Sequence, residues 1–259
     1  MPLIRAARRI VDRLRETLFL ATSIGGDLEC PFCKWHFRRF VPIAAAKSPL
    51  FEREHVVGGG HFEHSECPWC GSFERERQIY LYLRDHTDVF SRPLRLMHVA
   101  PEPNLQRVLR GAANIDYVST DLASPRADLK CDLTNVPLAS DSFDVILCNH
   151  VLEHIPDDAA AMRELFRLLK PGGWAILQVP LAVTRAATEY DPAMTTPQQR
   201  LLHYGQRDHV RLYGRDYGDR LAAAGFSVEH HDTRQRSGDD YVRRHALIPD
   251  EILYIARKR

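Results

Sequence analysis

A chain of 259 residues with 44% hydrophobic and 27% charged residues is long and apolar enough to bury a full α/β core beside one small accessory unit, which excludes a disordered or fibrous polypeptide. The 35 Lys and Arg nearly balance the 34 Asp and Glu, so no global charge draws the chain to nucleic acid or membrane, and any electrostatic partner must be met by a local patch. No stretch approaches the roughly 18 apolar residues of a membrane span, and arginines interrupt the apolar run that a secretory signal needs. The expected location is the cytoplasm, without a transmembrane segment; nothing in the sequence sets an oligomeric state.

In chain order, residues 1–26 read as a basic amphipathic helix, with Arg5, Arg8, Arg9, Arg13 and Arg15 set among Leu3, Ile4, Ile10, Val11 and Leu14. Such a helix suits a membrane surface or a partner. Residues 27–71 come next as a metal module. Cys30-Pro31-Phe32-Cys33 and Cys67-Pro68-Trp69-Cys70 are CxxC turns, each aiming two thiolates at one point, and together they supply the four-thiolate set that structural zinc prefers. A redox dithiol and unmetallated buried thiols are the alternatives, and a reducing compartment makes disulfides the weaker explanation. Between the pairs, His36, His55, His61 and His64 are substitute ligands, while Val56-Val57-Gly58-Gly59-Gly60-His61 reads as a flexible loop tip. Arg38, Arg39, Arg75 and Arg77 read as a basic face of the module or as scattered solvated residues. Cys131 and Cys148, alone in apolar surroundings, read as buried.

Residues 72–93 connect the module to the larger C-terminal half through a helix over Glu74 to Thr87 that carries Ile79, Leu81 and Leu83 among charges. From Leu94 to Arg259, short apolar runs alternate with helical patterns, as in a parallel sheet covered by helices. Strands are expected at Leu94–Val99, Ile115–Thr120, Ala127–Cys131, Phe143–Cys148 and Trp174–Val179, with two more at Phe226–His230 and Ile252–Ala256. The helix after the fourth strand opens on Asp157 and Asp158, where negative charge suits the dipole, and carries a stripe of Met162, Leu165, Phe166 and Leu169. Lys170-Pro171-Gly172-Gly173 then stops it. A later helix, Tyr217 to Ala224, is closed by Gly225.

Two segments in this half carry a family pattern. The run Asp132-Leu133-Thr134-Asn135-Val136-Pro137-Leu138-Ala139-Ser140-Asp141-Ser142-Phe143-Asp144-Val145-Ile146-Leu147-Cys148-Asn149-His150-Val151-Leu152-Glu153-His154-Ile155, with Leu168-Leu169-Lys170-Pro171-Gly172-Gly173-Trp174, resembles class I S-adenosylmethionine-dependent methyltransferases of the type 11-like kind. The upstream Cys-Pro-x-Cys-Gly-Ser followed by Glu74-Arg75 looks like a bacterial subgroup that places a cysteine-rich zinc-binding module before this domain. The resemblance implies an α/β fold: a Rossmann-like sheet of seven strands over residues 94–259, the last strand antiparallel, with a small zinc-ribbon-like module in front. The cofactor would lie across the carboxyl ends of the first strands. One departure stands out, since the glycine-rich loop usual after strand one is replaced by His98-Val99-Ala100-Pro101-Glu102-Pro103-Asn104.

The resemblance assigns Asp121 to the ribose hydroxyls, with Leu122 beside it, and Asp132 and Leu133 to the adenine. Ala100, Pro101 and Glu102 would border the methionine portion, and Asn149 the sulfonium end. Asp is also common at strand ends and caps for local reasons. Methyl transfer to a hydroxyl or protonated amine needs an aligned acceptor and a proton sink, a task that suits histidine near neutral pH. His150, His154 and His209 are the candidates, each otherwise an ordinary surface histidine. Residues 181–213 are too long for a simple connection and read as a cover over the acceptor, with Glu189, Tyr190, Asp191, Gln206, Asp208 and Arg211 as candidate contacts, or as a solvated loop. The expected activity is methyl transfer to oxygen or nitrogen of a small-molecule or glycan-type acceptor, with zinc structural. An RNA methyltransferase whose module binds nucleic acid is the first alternative, and a non-catalytic scaffold retaining the fold is the second.

Overall fold

A computed structural model describes residues 17–42, 48–59 and 63–259. The basic stretch before residue 17 and His61 lie outside them. Residues 17–23 are helical (α1), and the chain has turned into β1 (Ile24–Glu29) before the expected end of the N-terminal helix at residue 26. β1 pairs with β2 (His36–Phe37), then come α2 (Pro49–Arg53), β3 (Val56–Val57) and α3 (Glu74–His86).

The remaining chain builds one seven-stranded sheet from β4 (Leu94–Val99), β5 (Ile115–Asp121), β6 (Leu129–Lys130), β7 (Phe143–Asn149), β8 (Leu169–Gln178), β12 (Ser227–Asp232) and β13 (Ile252–Arg257), in the order β12-β13-β8-β7-β4-β5-β6. Only β13 runs antiparallel to its neighbours. The apolar runs explain the layering. In β7 nearly every side chain is buried, as in a strand covered on both faces. Alternate residues serve different layers. Met97, Val99, Ile146, Cys148, Ala175 and Leu177 pack with Leu165 and Leu168 of α5 (Asp158–Leu168) and with Tyr217 and Leu221 of α7 (Tyr217–Ala223). Leu96, Val145, Leu147, Ile176, Leu253 and Ile255 pack with Ile79 and Leu83 of α3 and with Leu105 and Leu109 of α4 (Pro103–Gly111).

Several boundaries move for identifiable reasons. Leu169, expected on the helical stripe, is the first residue of β8, and the Pro-Gly-Gly run lies within that strand at an irregular register against β7. A Cβ on Gly173 would come within 2.9 Å of the Lys170 carbonyl and 3.0 Å of the Asp144 carbonyl, so the strand passes there only with glycine. The third strand shrinks to Leu129–Lys130 because the Asp128 carboxylate instead accepts hydrogen bonds from the Ser119 N–H and hydroxyl, at 2.8 and 2.6 Å. Cys131, expected buried, is half-buried, its sulfur 3.0 Å from Thr120 Oγ1. No helix among the described residues is long and apolar enough to cross a membrane.

Residues 181–213 fold into β9 (Leu181–Ala182), β10 (Glu189–Tyr190), α6 (Pro197–Tyr204) and β11 (Arg211–Leu212). β9 pairs with β3, which ties the stretch between the cysteine pairs to the sheet domain. Phe51 of α2 fills the space beside Gly205, whose φ of 83° closes α6. Arg211, expected to touch an acceptor, is instead buried: it pairs with Asp158 and donates to the carbonyls of Ile155 and Pro156 at 2.6 and 2.7 Å. Asp158 also accepts from Tyr213 and Arg220. Removing one partner of a buried pair leaves the other charge uncompensated, so Arg211→Ala is expected to lower stability by about 3–5 kcal/mol in urea denaturation, far beyond a surface arginine.

Candidate functional site

The two CxxC turns repeat one local geometry. In the first, the Lys34 N–H bonds to the Cys30 carbonyl at 2.9 Å and Lys34 takes φ 63°; in the second, the Gly71 N–H bonds to the Cys67 carbonyl at 3.0 Å with φ 69°. Trp35 and Trp69 stack across the pair at 4.9 Å between ring centres. The turns bring all four sulfurs within 4.8 Å of one another, with Cys30 to Cys70 at 3.6 Å and Cys33 to Cys67 at 3.7 Å. A tetrahedral zinc with Zn–S bonds of about 2.3 Å sets sulfurs about 3.8 Å apart, so this set fits the ion with at most small side-chain rotations. Hydrogen bonds from Cys33, Cys67 and Cys70 push the Cys30 thiol far below its ordinary pKa. Among the histidines between the pairs, His64 accepts from the Phe40 N–H rather than joining the cluster. Arg77 is no part of a basic face: fully buried, it stacks on Phe40 and donates to the carbonyls of His245 and Ala246, clamping the module to the C-terminal region.

The sheet order reverses between β4 and β7, the switch point where ligands of open α/β sheets bind. The residues that follow these two strands, Ala100 and His150, both have left-handed backbones, with φ of 45° and 54°. Non-glycine residues in that region are strained and cluster at functional sites. Ala100 thus takes the conformation for which glycine would be the default, and Pro103 starts α4 at a position where its missing N–H costs nothing.

Glu102 is buried in this turn, 3.0 Å from His98 Nε2, and accepts from Asn149 Nδ2. Burial raises its pKa, but the His98 hydrogen bond and the charges of His98 and Arg75 outweigh this and hold it below the ordinary value. Asn149 Oδ1 is buried and makes no hydrogen bond among the described residues, an acceptor left over for a ligand. At the end of β5, Asp121 Oδ1 accepts from the Ala123 and Ser124 N–H groups, both at 2.7 Å, a turn that uses one of its two oxygens. Leu122 is exposed beside it. After β6, Asp132 is exposed and accepts twice from Thr134, which holds its carboxyl below the usual range, while Leu133 packs into the core. These residues come from separate loops along one sheet edge. An exposed apolar side chain, two surface carboxylates and an orphaned buried amide oxygen on that edge fit a polar ligand with a flat aromatic portion.

Beyond Asn149, a cavity of about 310 Å³ is lined by Gly58, Gly59, Glu74, Arg75, His150, Glu153, His154, Gln206, Asp208 and His209. A larger groove of about 750 Å³, beside Arg234, Val242 and Asp250, lies away from the switch point; location, not volume, marks the smaller one. The cavity unites the three candidate histidines with Gln206 and Asp208 of the expected cover, while Glu189, Tyr190 and Asp191 are not in its lining. His209 is buried, and burial lowers its pKa. Sequence reasoning missed Glu153: it is 1% exposed, and neither carboxylate oxygen makes a hydrogen bond among the described residues. The nearest group is His150 Nδ1, 3.5 Å from Oε1. Burial raises the Glu153 pKa, but His150, His209 and His154 outweigh this and keep it low. It was also hidden that Gly58 and Gly59, expected as a loop tip, form a wall of this cavity.

Sheet order, strained switch-point loops and an adjoining polar cavity define a doubly wound α/β protein with its ligand edge at the switch point. The chain belongs to a family of methyltransferase domains: the model described as "Methyltransferase domain" matches residues 59–231. It is 31% identical over 129 residues to a Mycolicibacterium smegmatis protein named "Probable S-adenosylmethionine-dependent methyltransferase", covering 47% of this chain and 46% of that one. It is 35% identical over 72 residues to the ubiquinone biosynthesis O-methyltransferase of Thiobacillus denitrificans, covering 27% of this chain and 30% of the relative. The chain therefore spans less than half the length of these curated relatives. An Archaeoglobus fulgidus SAM-dependent methyltransferase superposes with a TM-score of 0.45 at 14% identity, covering 71% of this chain and 94% of that one.

Proposed function

We propose that this protein transfers a methyl group from S-adenosylmethionine to an oxygen or nitrogen of a small-molecule or glycan-type acceptor. The observation that carries the proposal is the cavity of histidines and a buried carboxylate that begins one residue beyond Asn149, at the switch point. When bound, the cofactor supplies an electrophilic methyl group on a sulfonium. Asp121 accepts from the ribose hydroxyls, and Asp132 and Leu122 border the adenine, whereas Leu133, expected there, packs into the core. Ala100, Pro101 and Glu102 line the methionine portion, and Asn149 lies at the sulfonium end, its Oδ1 an acceptor without a partner among the described residues.

On the acceptor side, alignment and proton removal are what the chain must provide. His150 takes the acceptor proton through Nε2, which is buried without a hydrogen-bond partner among the described residues. His154 and His209 position the acceptor. The Cys30, Cys33, Cys67 and Cys70 set holds a structural zinc that keeps Gly58 and Gly59 against the cavity. With methyl-labelled donor and a metabolite extract, label is expected in the small-molecule fraction. His209→Ala is expected to reduce turnover far more than affinity for S-adenosylhomocysteine. Label recovered only in RNA, or affinity falling as much as turnover, contradicts this assignment.

A further inference from the structure

We infer that Glu153, His154 and His209 form a second metal centre, distinct from the four cysteines, which binds a divalent transition-metal cation at the floor of the acceptor cavity. One carboxylate oxygen and one nitrogen from each ring lie within 4.8 Å of one another. A cation about 2.1 Å from each donor sets neighbouring donors about 3–3.5 Å apart, a gap that small side-chain rotations close. The Glu153 carboxylate is the independent sign of a ligand. It is buried and unmatched by any hydrogen bond among the described residues, and a buried polar group without a partner is costly unless a bound ligand such as a cation satisfies it.

His154 is arranged as a ligand histidine is. Its Nδ1 faces the Asp208 carbonyl at 3.3 Å, and the Asp208 carboxylate at 3.5 Å, which leaves Nε2 turned towards Glu153 at 3.9 Å. A histidine bound to metal through one nitrogen commonly has the other nitrogen oriented by a carbonyl or carboxylate in this way. The second ring, His209, meets His154 edge-on at 4.9 Å between ring centres. The local chain explains the assembly. A 3-10 turn at Leu152–His154 presents Glu153 and His154 side by side, and the Val210 N–H bonds to the Glu153 carbonyl at 2.9 Å, which fixes His209 over them.

Two imidazoles and one carboxylate suit Mn²⁺, Fe²⁺ or Zn²⁺ rather than the all-oxygen surroundings of Mg²⁺, and they leave positions open towards the cavity. This deepens the acceptor-side reading and rests on it: an acceptor hydroxyl in an open position would be bound through oxygen and made easier to deprotonate. The C–S bond of the sulfonium then breaks as the C–O bond forms, and the hydroxyl proton leaves through His150. The favoured acceptor is therefore one that coordinates through a hydroxyl.

The test uses the full chain with zinc on its cysteines and Mn²⁺ as the probe, followed by the loss of the free-ion paramagnetic resonance signal. One Mn²⁺ per chain is expected, with binding weakened at least tenfold by Glu153→Gln, and likewise by His209→Ala should the first variant fail to fold. Binding of S-adenosylhomocysteine, measured on the same samples, reports the fold of the variants. It also separates the two readings: Mn²⁺ bound at these residues without methyl transfer would sink the acceptor assignment alone. No Mn²⁺ bound to wild type, or equal binding in a folded variant, overturns the metal centre.

Discussion

Cys67→Ser, and equally Cys30→Ser, is expected to reduce the zinc content from one per chain to near none and to lower stability on the order of several kcal/mol. A zinc held by four thiolates would contribute its binding free energy to folding, and one serine in their place would open the set. The effect should reach beyond the module. β3 lies between the two cysteine pairs, pairs with β9 and leads into Gly58 and Gly59 on the cavity wall. Turnover should therefore fall more than affinity for S-adenosylhomocysteine, since the loops after β5 and β6, proposed to hold the cofactor, extend from the sheet and not from the module. Elemental analysis and denaturant titration check both parts. Stoichiometric zinc retained in either variant would place the metal elsewhere.

Asp121→Ala is expected to weaken S-adenosylhomocysteine binding by about tenfold to a hundredfold. β5 delivers this carboxylate to the carboxyl edge of the sheet, one strand from Ala100, and the proposed charge-assisted hydrogen bonds to the two ribose hydroxyls would contribute roughly 1.5–3 kcal/mol. The local turn uses only Oδ1, accepting from Ala123 and Ser124. Asp121→Asn keeps an oxygen for that turn and should lose less, which separates cofactor contact from loop structure. Equal affinities for wild type and a folded Asp121→Ala would make the residue a strand-end turn former and nothing more.

Elements that announce themselves by period and composition were legible in the sequence. The buried run Phe143 to Cys148 is β7 but for one residue, Leu94–Val99 is β4, and Ile252–Ala256 ends one residue short of β13. The doubled CxxC needed no tertiary information, because each turn is local and the sulfurs meet once both are made. The features that stayed hidden depend on distant partners. Two-residue strands such as β3 and β9 carry no periodicity, so nothing local revealed that the glycines after Val57 form a cavity wall. Arg211 and Arg77 have ordinary sequence surroundings, and only Asp158 and the carbonyls around His245 show them to be buried clamps. Glu153 lies within the family pattern, yet the burial of its carboxylate without a hydrogen-bond partner among the described residues exists only in the folded chain.

Calorimetric titration of S-adenosylhomocysteine into the zinc-loaded chain bears most directly on methyl transfer at this site, because every acceptor-side role presupposes a bound cofactor at the switch point. One molecule bound per chain, with affinity reduced in Asp121→Ala and largely kept in His209→Ala, is the predicted result. An absence of heat with the correctly folded wild-type chain would contradict it and leave a methyltransferase fold serving as a scaffold.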